Sequence, residues 1–244
     1  MHNMKRSVFS LLALLLPCLA LAHDFIVDGI CYNITSEADK TCEVTFNSDE
    51  KAKNGYRHYY KDVVFVPEKV NYSGKEYTVT AIGMDAFLRN EDLLSVVMPK
   101  TIVSIGQDAF ANCPKLKSLT IPENVRDLQN FSFRGLPSLE SLVVDEKNEF
   151  FDSREGCNAI IRTENNSLIF GCASTTIPNS VTRIEAFAFH NHVSLKELSL
   201  PDSITSIGSK AFMNCSNLKR ITIPNSVIEI ERMAFHCCIS LNDV

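Results

Sequence analysis

The sequence predicts a β-rich α/β solenoid of stacked 23-residue units, with parallel strands and short helical or 3₁₀ turns. An N-terminal β-hairpin caps the stack and a second hairpin is inserted in mid-array. Three periodic columns carry this reading. Phe recurs at Phe87, Phe110, Phe133, Phe189, Phe212 and Phe235, at spacings of 23, 23, 56, 23 and 23 residues. Leu keeps the same beat at Leu93, Leu116, Leu139, Leu195, Leu218 and Leu241. Pro99, Pro122, Pro178, Pro201 and Pro224 stand at one place in their units.

The segment "LKRITIPNSVIEI" shows how one unit folds. Ile221 and Ile223 alternate with Thr222, the period of a half-buried strand. Pro224 lacks the N–H that would continue a ladder, and "PNS" is turn chemistry. An inward aliphatic residue follows, five before each Phe: Ile82, Ile105, Leu128, Ile184, Ile207 and Ile230. The remainder up to "AF" is too short for a long helix, so a helical turn or 3₁₀ piece is expected. The residue after the aliphatic is Gly83, Gly106 or Gly208 in three units but Gln129, Glu185 or Glu231 in the others, so glycine is not required and no positive φ is demanded.

Two stretches depart from the beat. In the cap, "DFIVDGICYNIT" and "KTCEVTF" read as alternating strands joined by "SEAD". Cys31 and Cys42 lie on the two arms and form one candidate disulfide. In mid-array, the gap of 56 residues is two units plus ten, and Asp145 stands where a proline would. There "CNAIIRTENNSLIFGC" reads as a hairpin, within an insert of about 146–176. A two-residue reversal at Glu164-Asn165 sets Cys157 opposite Cys172, a second candidate disulfide that a slip of one residue would spoil. As a protrusion from a regular stack, this hairpin is also a candidate contact point for a partner.

The domain reading is a signal peptide over 1–22, a cap region over 23–80 and the solenoid over 81–244. Lys5 and Arg6 precede the apolar run Val8–Leu16, and Ala20-Leu21-Ala22 is a small-residue cleavage site. The apolar run is short of the roughly 18 residues of a membrane span. Cleavage takes the formal charge from −5 to −7, since residues 1–22 contain no Asp or Glu. An acidic chain without a basic stripe argues against nucleic acid as a partner. HExxH, GxSxG and phosphate-cradling glycine loops are missing, so neither an enzyme nor a cofactor is expected.

Outward strand positions form the candidate protein-binding face. One column is Val97, Thr120, Val143, Ser199 and Thr222; its neighbour is Ser95, Ser118, Ser141, Glu197 and Arg220; Lys117, Glu140, Lys196 and Lys219 flank them. A further column reads Asn90, Cys113, Leu136, His192, Cys215 and Cys238. Its His and Cys are zinc-like ligand types, but a slot that also takes Leu is read as a small buried pocket, without metal. "CCISLNDV" stops where the next strand would begin, so the uncapped end is a candidate for self-association.

The unit "AFMNCSNLKRITIPNSVIEIERMAF" resembles the BspA-like leucine-rich repeats of exported and surface proteins of Bacteroidales, over roughly Ala81 to Val244. The resemblance implies a leucine-rich-repeat solenoid, secreted, periplasmic or at the cell surface, acting as a non-enzymatic adhesion or protein-binding module. Some members adhere to host extracellular matrix proteins such as fibronectin and fibrinogen. The alternatives are a structural or antigenic surface protein with no dedicated ligand, and, more remotely, a metal-binding protein or hydrolase built on the His/Cys column.

Overall fold

The computed structural model describes residues 23–47, 60–129 and 131–243; the expected signal peptide lies outside them. The cap comprises β1 (Phe25–Val27), β2 (Ile30–Ser36), β3 (Thr41–Thr45), β4 (Asp62–Phe65), β5 (Lys69–Tyr72) and β6 (Lys75–Ile82). The first units give β7 (Leu93–Val97), β8 (Ser104–Ile105), β9 (Ser118–Ile121), β10 (Asp127–Leu128) and β11 (Ser141–Val144). The insert supplies β12 (Phe151–Asp152), a 3₁₀ turn at Arg154–Gly156, β13 (Ala159–Arg162) and β14 (Ser167–Gly171). The last units give β15 (Arg183–Ile184), β16 (Glu197–Ser199), β17 (Ser206–Ile207), β18 (Arg220–Thr222) and β19 (Glu229–Ile230).

Each regular unit makes one longer strand and one two-residue strand, and each kind stacks in parallel on its counterpart. The longer strands form β4-β7-β9-β11 and β16-β18, while the short ones extend β3-β6-β8-β10 and β14-β15-β17-β19. The proline turn between them is the same every time. The Pro99 carbonyl accepts from Ile102 N–H at 3.1 Å, Pro122 from Val125 at 3.2 Å, and Pro201 from Ile204 at 3.0 Å. Asp145 repeats the turn, accepting from Asn148 N–H at 2.9 Å, and adds a bond that proline cannot make, from its own N–H to Ile121 O at 2.9 Å.

Phenylalanines stack inside. Ring centroids lie 5.1 Å apart for Phe87–Phe110, Phe189–Phe212 and Phe212–Phe235, and 5.9 Å for Phe110–Phe133. Burial of each ring contributes on the order of 1.5–3 kcal/mol. The turns around them form no helix. Residues of positive φ stand two before and two after each Phe, as with Asp108 (54°) and Asn112 (57°), or Lys210 (57°) and Asn214 (62°). Single left-handed residues cut the segment into separate i→i+3 turns. The only helix among the described residues is the 3₁₀ turn of the insert.

The inserted hairpin is not a protrusion. Both of its faces are buried, and it stands as a wall between two apolar cores. On β13, Ile160 joins the N-terminal core while Ala159 and Ile161 join the C-terminal one; on β14, Phe170 and Leu168 divide the same way. A strand covered on both faces requires a near-continuous apolar run, which "AII" and "SLIF" supply. Phe170 continues the ring ladder inward from Phe133 at 5.5 Å, and β14 pairs with β15 as a further parallel layer.

Neither expected disulfide forms. Arg162 faces Ser167 and Ile161 faces Leu168, as the symmetric reversal requires, but an irregularity then shifts the pairing so that Ile160 faces Phe170 and Ala159 faces Gly171. That one-residue slip sends the two thiols apart: Cys157 packs in the C-terminal core and Cys172 in the N-terminal core. In the cap, Cys31 faces Thr45 while Cys42 faces Ile34. Alternation along β2 and β3 therefore puts the two side chains on opposite faces of the sheet.

Candidate functional site

All fourteen expected face residues are exposed or half-buried, but they form two patches instead of one. β11 and β16 share no ladder. The hairpin's Asn158 occupies the edge of β11 instead, accepting from Leu142 N–H at 2.6 Å and donating from Nδ2 to Glu140 O at 2.7 Å.

The first patch is built on β7, β9 and β11. Ser95 faces Ser118, Ser118 faces Ser141, and Thr120 faces Val143. Ser118 Oγ donates to Ser95 Oγ at 3.1 Å, which ties adjacent layers together. Beyond β7 lies β4, where Phe65 faces Val97 in register. Phe65 is 69% exposed, Val97 48% and Val143 44%. Phe65, Val97 and Val143 thus stand along the outer face, with Thr120 of β9 between the two valines and with Lys117 and Glu140 exposed at the strand entries. The sequence reading missed Phe65. Its signal was the "FVP" triplet, which matches "VMP" and "TIP" in the units, but β4 pairs with a strand offset by more than one unit and so falls off the 23-residue count.

The second patch, on β16 and β18, is charged. Glu197 faces Arg220 and Ser199 faces Thr222. Arg220 Nε also donates to Asp243 at 2.6 Å, and Lys196 and Lys219 stand exposed beside it.

The Cys/His column packs inside the stack, with Cys238 half-buried at its last position. Cys113, Cys215 and Cys238 each donate Sγ–H to the Phe carbonyl of the preceding layer, Phe87, Phe189 and Phe212, at 3.0 Å in every case. Burial pushes the Cys113 and Cys215 thiols up to about 12, away from reactive thiolate. In the same column, Asn90 Oδ1 accepts from Asp92 and Leu93 N–H at 3.1 Å. His192 is fully buried, and neither ring nitrogen has a hydrogen-bond partner among the described residues. Burial is the main cause holding its pKa down at about 4. Among the described residues, no group of three or more His, Cys, Asp or Glu is placed to hold a metal ion. None of the described helices is long and apolar enough to cross a membrane.

Comparison with known proteins agrees with this geometry. The BspA type leucine rich repeat region matches residues 66–162 and 166–244, in six copies. A leucine-rich repeat protein from Bacteroides ovatus superposes with a TM-score of 0.61 at 30% identity, over 91% of this chain and 52% of that one. This chain therefore spans about half the length of that protein. The pneumococcal vaccine antigen PcpA shares the fold with a TM-score of 0.52 at 19% identity, over 91% of this chain and 75% of its own. Among curated proteins, none matches. The chain belongs to the BspA-type leucine-rich repeat family.

Proposed function

We propose that this protein is an exported, non-enzymatic adhesion module that binds a host extracellular matrix protein through its outer sheet face. The observation that carries the reading is the exposed Phe65, in register with the exposed Val97, together with the exposed Val143 beyond Thr120 on the same face. Exposed apolar patches with a polar surround favour protein partners, and an aromatic at the patch supplies an anchor of the kind that dominates interface energies. Rigid stacked strands hold the patch without ordering cost on binding. The basic leader over 1–22 supports export, and the family's adhesive members support the matrix as partner. Immobilised fibronectin and fibrinogen, titrated with the purified protein, test the reading. Binding that weakens by about tenfold or more in a Phe65→Ser, Val143→Glu double variant of unchanged melting temperature is expected. Saturable binding that the double variant leaves intact would assign the contact to another surface.

A further inference from the structure

On the turn side, the stack is interrupted once. Regular neighbours are laced by turn-to-turn bonds: Phe87 N–H to Ala109 O at 2.8 Å, Phe110 N–H to Ser132 O at 2.8 Å, Phe189 N–H to Ala211 O at 2.7 Å. Between the third and fourth units, only Gly135 N–H to His190 O, at 3.1 Å, crosses among the described residues. The wall hairpin fills this gap from inside. Outside, a groove of about 330 Å³ remains, whose lining includes Asp108, Phe131, Arg134, Phe187, His190 and Lys210.

The residues at this seam break their own columns. Phe131 and Phe187 occupy the left-handed position that holds Asp85, Asp108, Lys210 and Met233 elsewhere, with φ of 64° and 63°. A bulky aromatic there is disfavoured by local sterics. The two rings meet edge to face at 4.5 Å. Each carries a cation: the Arg134 guanidinium lies 5.7 Å from the Phe131 centroid and the Lys210 ammonium 5.2 Å from that of Phe187. Arg134 Nε donates to Asp108 at 2.6 Å. No described carboxylate takes up Lys210 or the two terminal nitrogens of Arg134. His190 is buried behind them, and its Nδ1 has no partner among the described residues.

We propose that this seam groove binds an acidic peptide segment, with a carboxylate received between Arg134 and Lys210 and an apolar neighbour laid on the Phe131–Phe187 edge. The aromatic platforms hold the two cations in place before the ligand arrives, which lowers the ordering cost of binding. In an acidic chain, two cations without full carboxylate partners are a local field of the opposite sign. A protein chain suits the groove better than a sugar. Apart from the cations and histidine, its polar lining is Gln107 and Asp108, and Asp108 is already held by Arg134.

The test uses the full protein and two capped tripeptides, Glu-Leu-Glu and its neutral counterpart Gln-Leu-Gln, followed by NMR of the His190 imidazole. The acidic peptide should shift the His190 signals saturably below about 20 mM, more weakly as salt rises, and the neutral one should not. Lys210→Asp should weaken binding by at least about tenfold. That variant is built to fold, because Asp85 and Asp108 occupy the same left-handed column in earlier units; its melting temperature checks this. Equal response to both peptides, no shift, or full binding by a folded Lys210→Asp variant would overturn the proposal. Tighter binding of a glucuronate disaccharide than of the peptide would overturn the peptide assignment in favour of a sugar. Val143→Glu, on the outer face, should leave this response unchanged, so the matrix-binding reading and this one fail separately.

Discussion

His192 is a polar side chain in surroundings that offer it no polar partner among the described residues. It stands in a column where Cys113, Cys215 and Cys238 each reach a carbonyl and Leu136 asks for none, yet both of its nitrogens are buried without partners among the described residues. A neutral imidazole is tolerated there; an imidazolium is not. Its folded pKa, near 4, lies below the unfolded value of about 6.5. The unfolded chain therefore binds the proton first. The stability that depends on the neutral ring is complete above about pH 6.5 and is lost as pH falls through that window towards 4, by about 3 kcal/mol in all. His190, also held down at about 4 by burial and by Arg134 and Lys210, adds to the loss in the same window. Denaturant midpoints measured from pH 7.5 to 4 should fall steeply in the wild type and less in His192→Leu, whose side chain the column already accepts at Leu136. Parallel curves for the two proteins would show that His192 does not titrate on unfolding.

At the scale of the element, the turn around each glycine is tighter than comparison of units suggested. Reading six units side by side showed that no positive φ is demanded at Gly83, Gly106 and Gly208, and none of the three has one. It did not reveal that backbone closes over them. A Cβ on Gly208 would stand 2.6 Å from Ala186 N and 2.7 Å from the Glu185 carbonyl carbon. Gly208→Ala should cost about 1–3 kcal/mol, read as a lower denaturant midpoint at unchanged slope. An unaltered midpoint would mean that the layers slide apart freely. The hairpin offers a second test. With Cys157 and Cys172 in separate cores, protein unfolded without reductant should alkylate at both, and its mass should not change on prior reduction. A peptide pair linked through these two residues would contradict the register. The sequence could state the reversal but not the irregularity beside Ile160, because "AII" and "LIF" are continuous apolar runs and no alternation marks where the slip falls.

For the whole molecule, periodicity made the stack legible and aperiodic parts hid the rest. The Phe ladder, the proline turns and the outward columns stand where the 23-residue beat places them. The layer made by β4, the split of the outer face at Asn158 and the seam between Phe131 and Phe187 arise where units of unlike length meet, which no column comparison describes. In a solenoid each layer is supported by its neighbours alone, so damage should stay local except at the wall. Phe212→Ala should cost about 3–5 kcal/mol and reduce hydrogen-exchange protection mainly in β15 to β19. Phe170→Ala, similar in cost, should reduce it on both sides, since its hairpin packs against each core. Confinement of the Phe170→Ala effect to one side would mean that the cores are not coupled through the hairpin.

The two-faced hairpin has a bearing on how such a chain changes length. A whole unit gained or lost by duplication alters only the layers beside it, provided the stacking phase survives. The antiparallel step from β13 to β14 ends one phase and starts another, and the layers that follow take their strand register from β14. Either half can therefore grow or shrink by whole units while the other keeps its geometry. The wall makes one polypeptide behave, under insertion and deletion, as two independent rulers joined at a fixed mark.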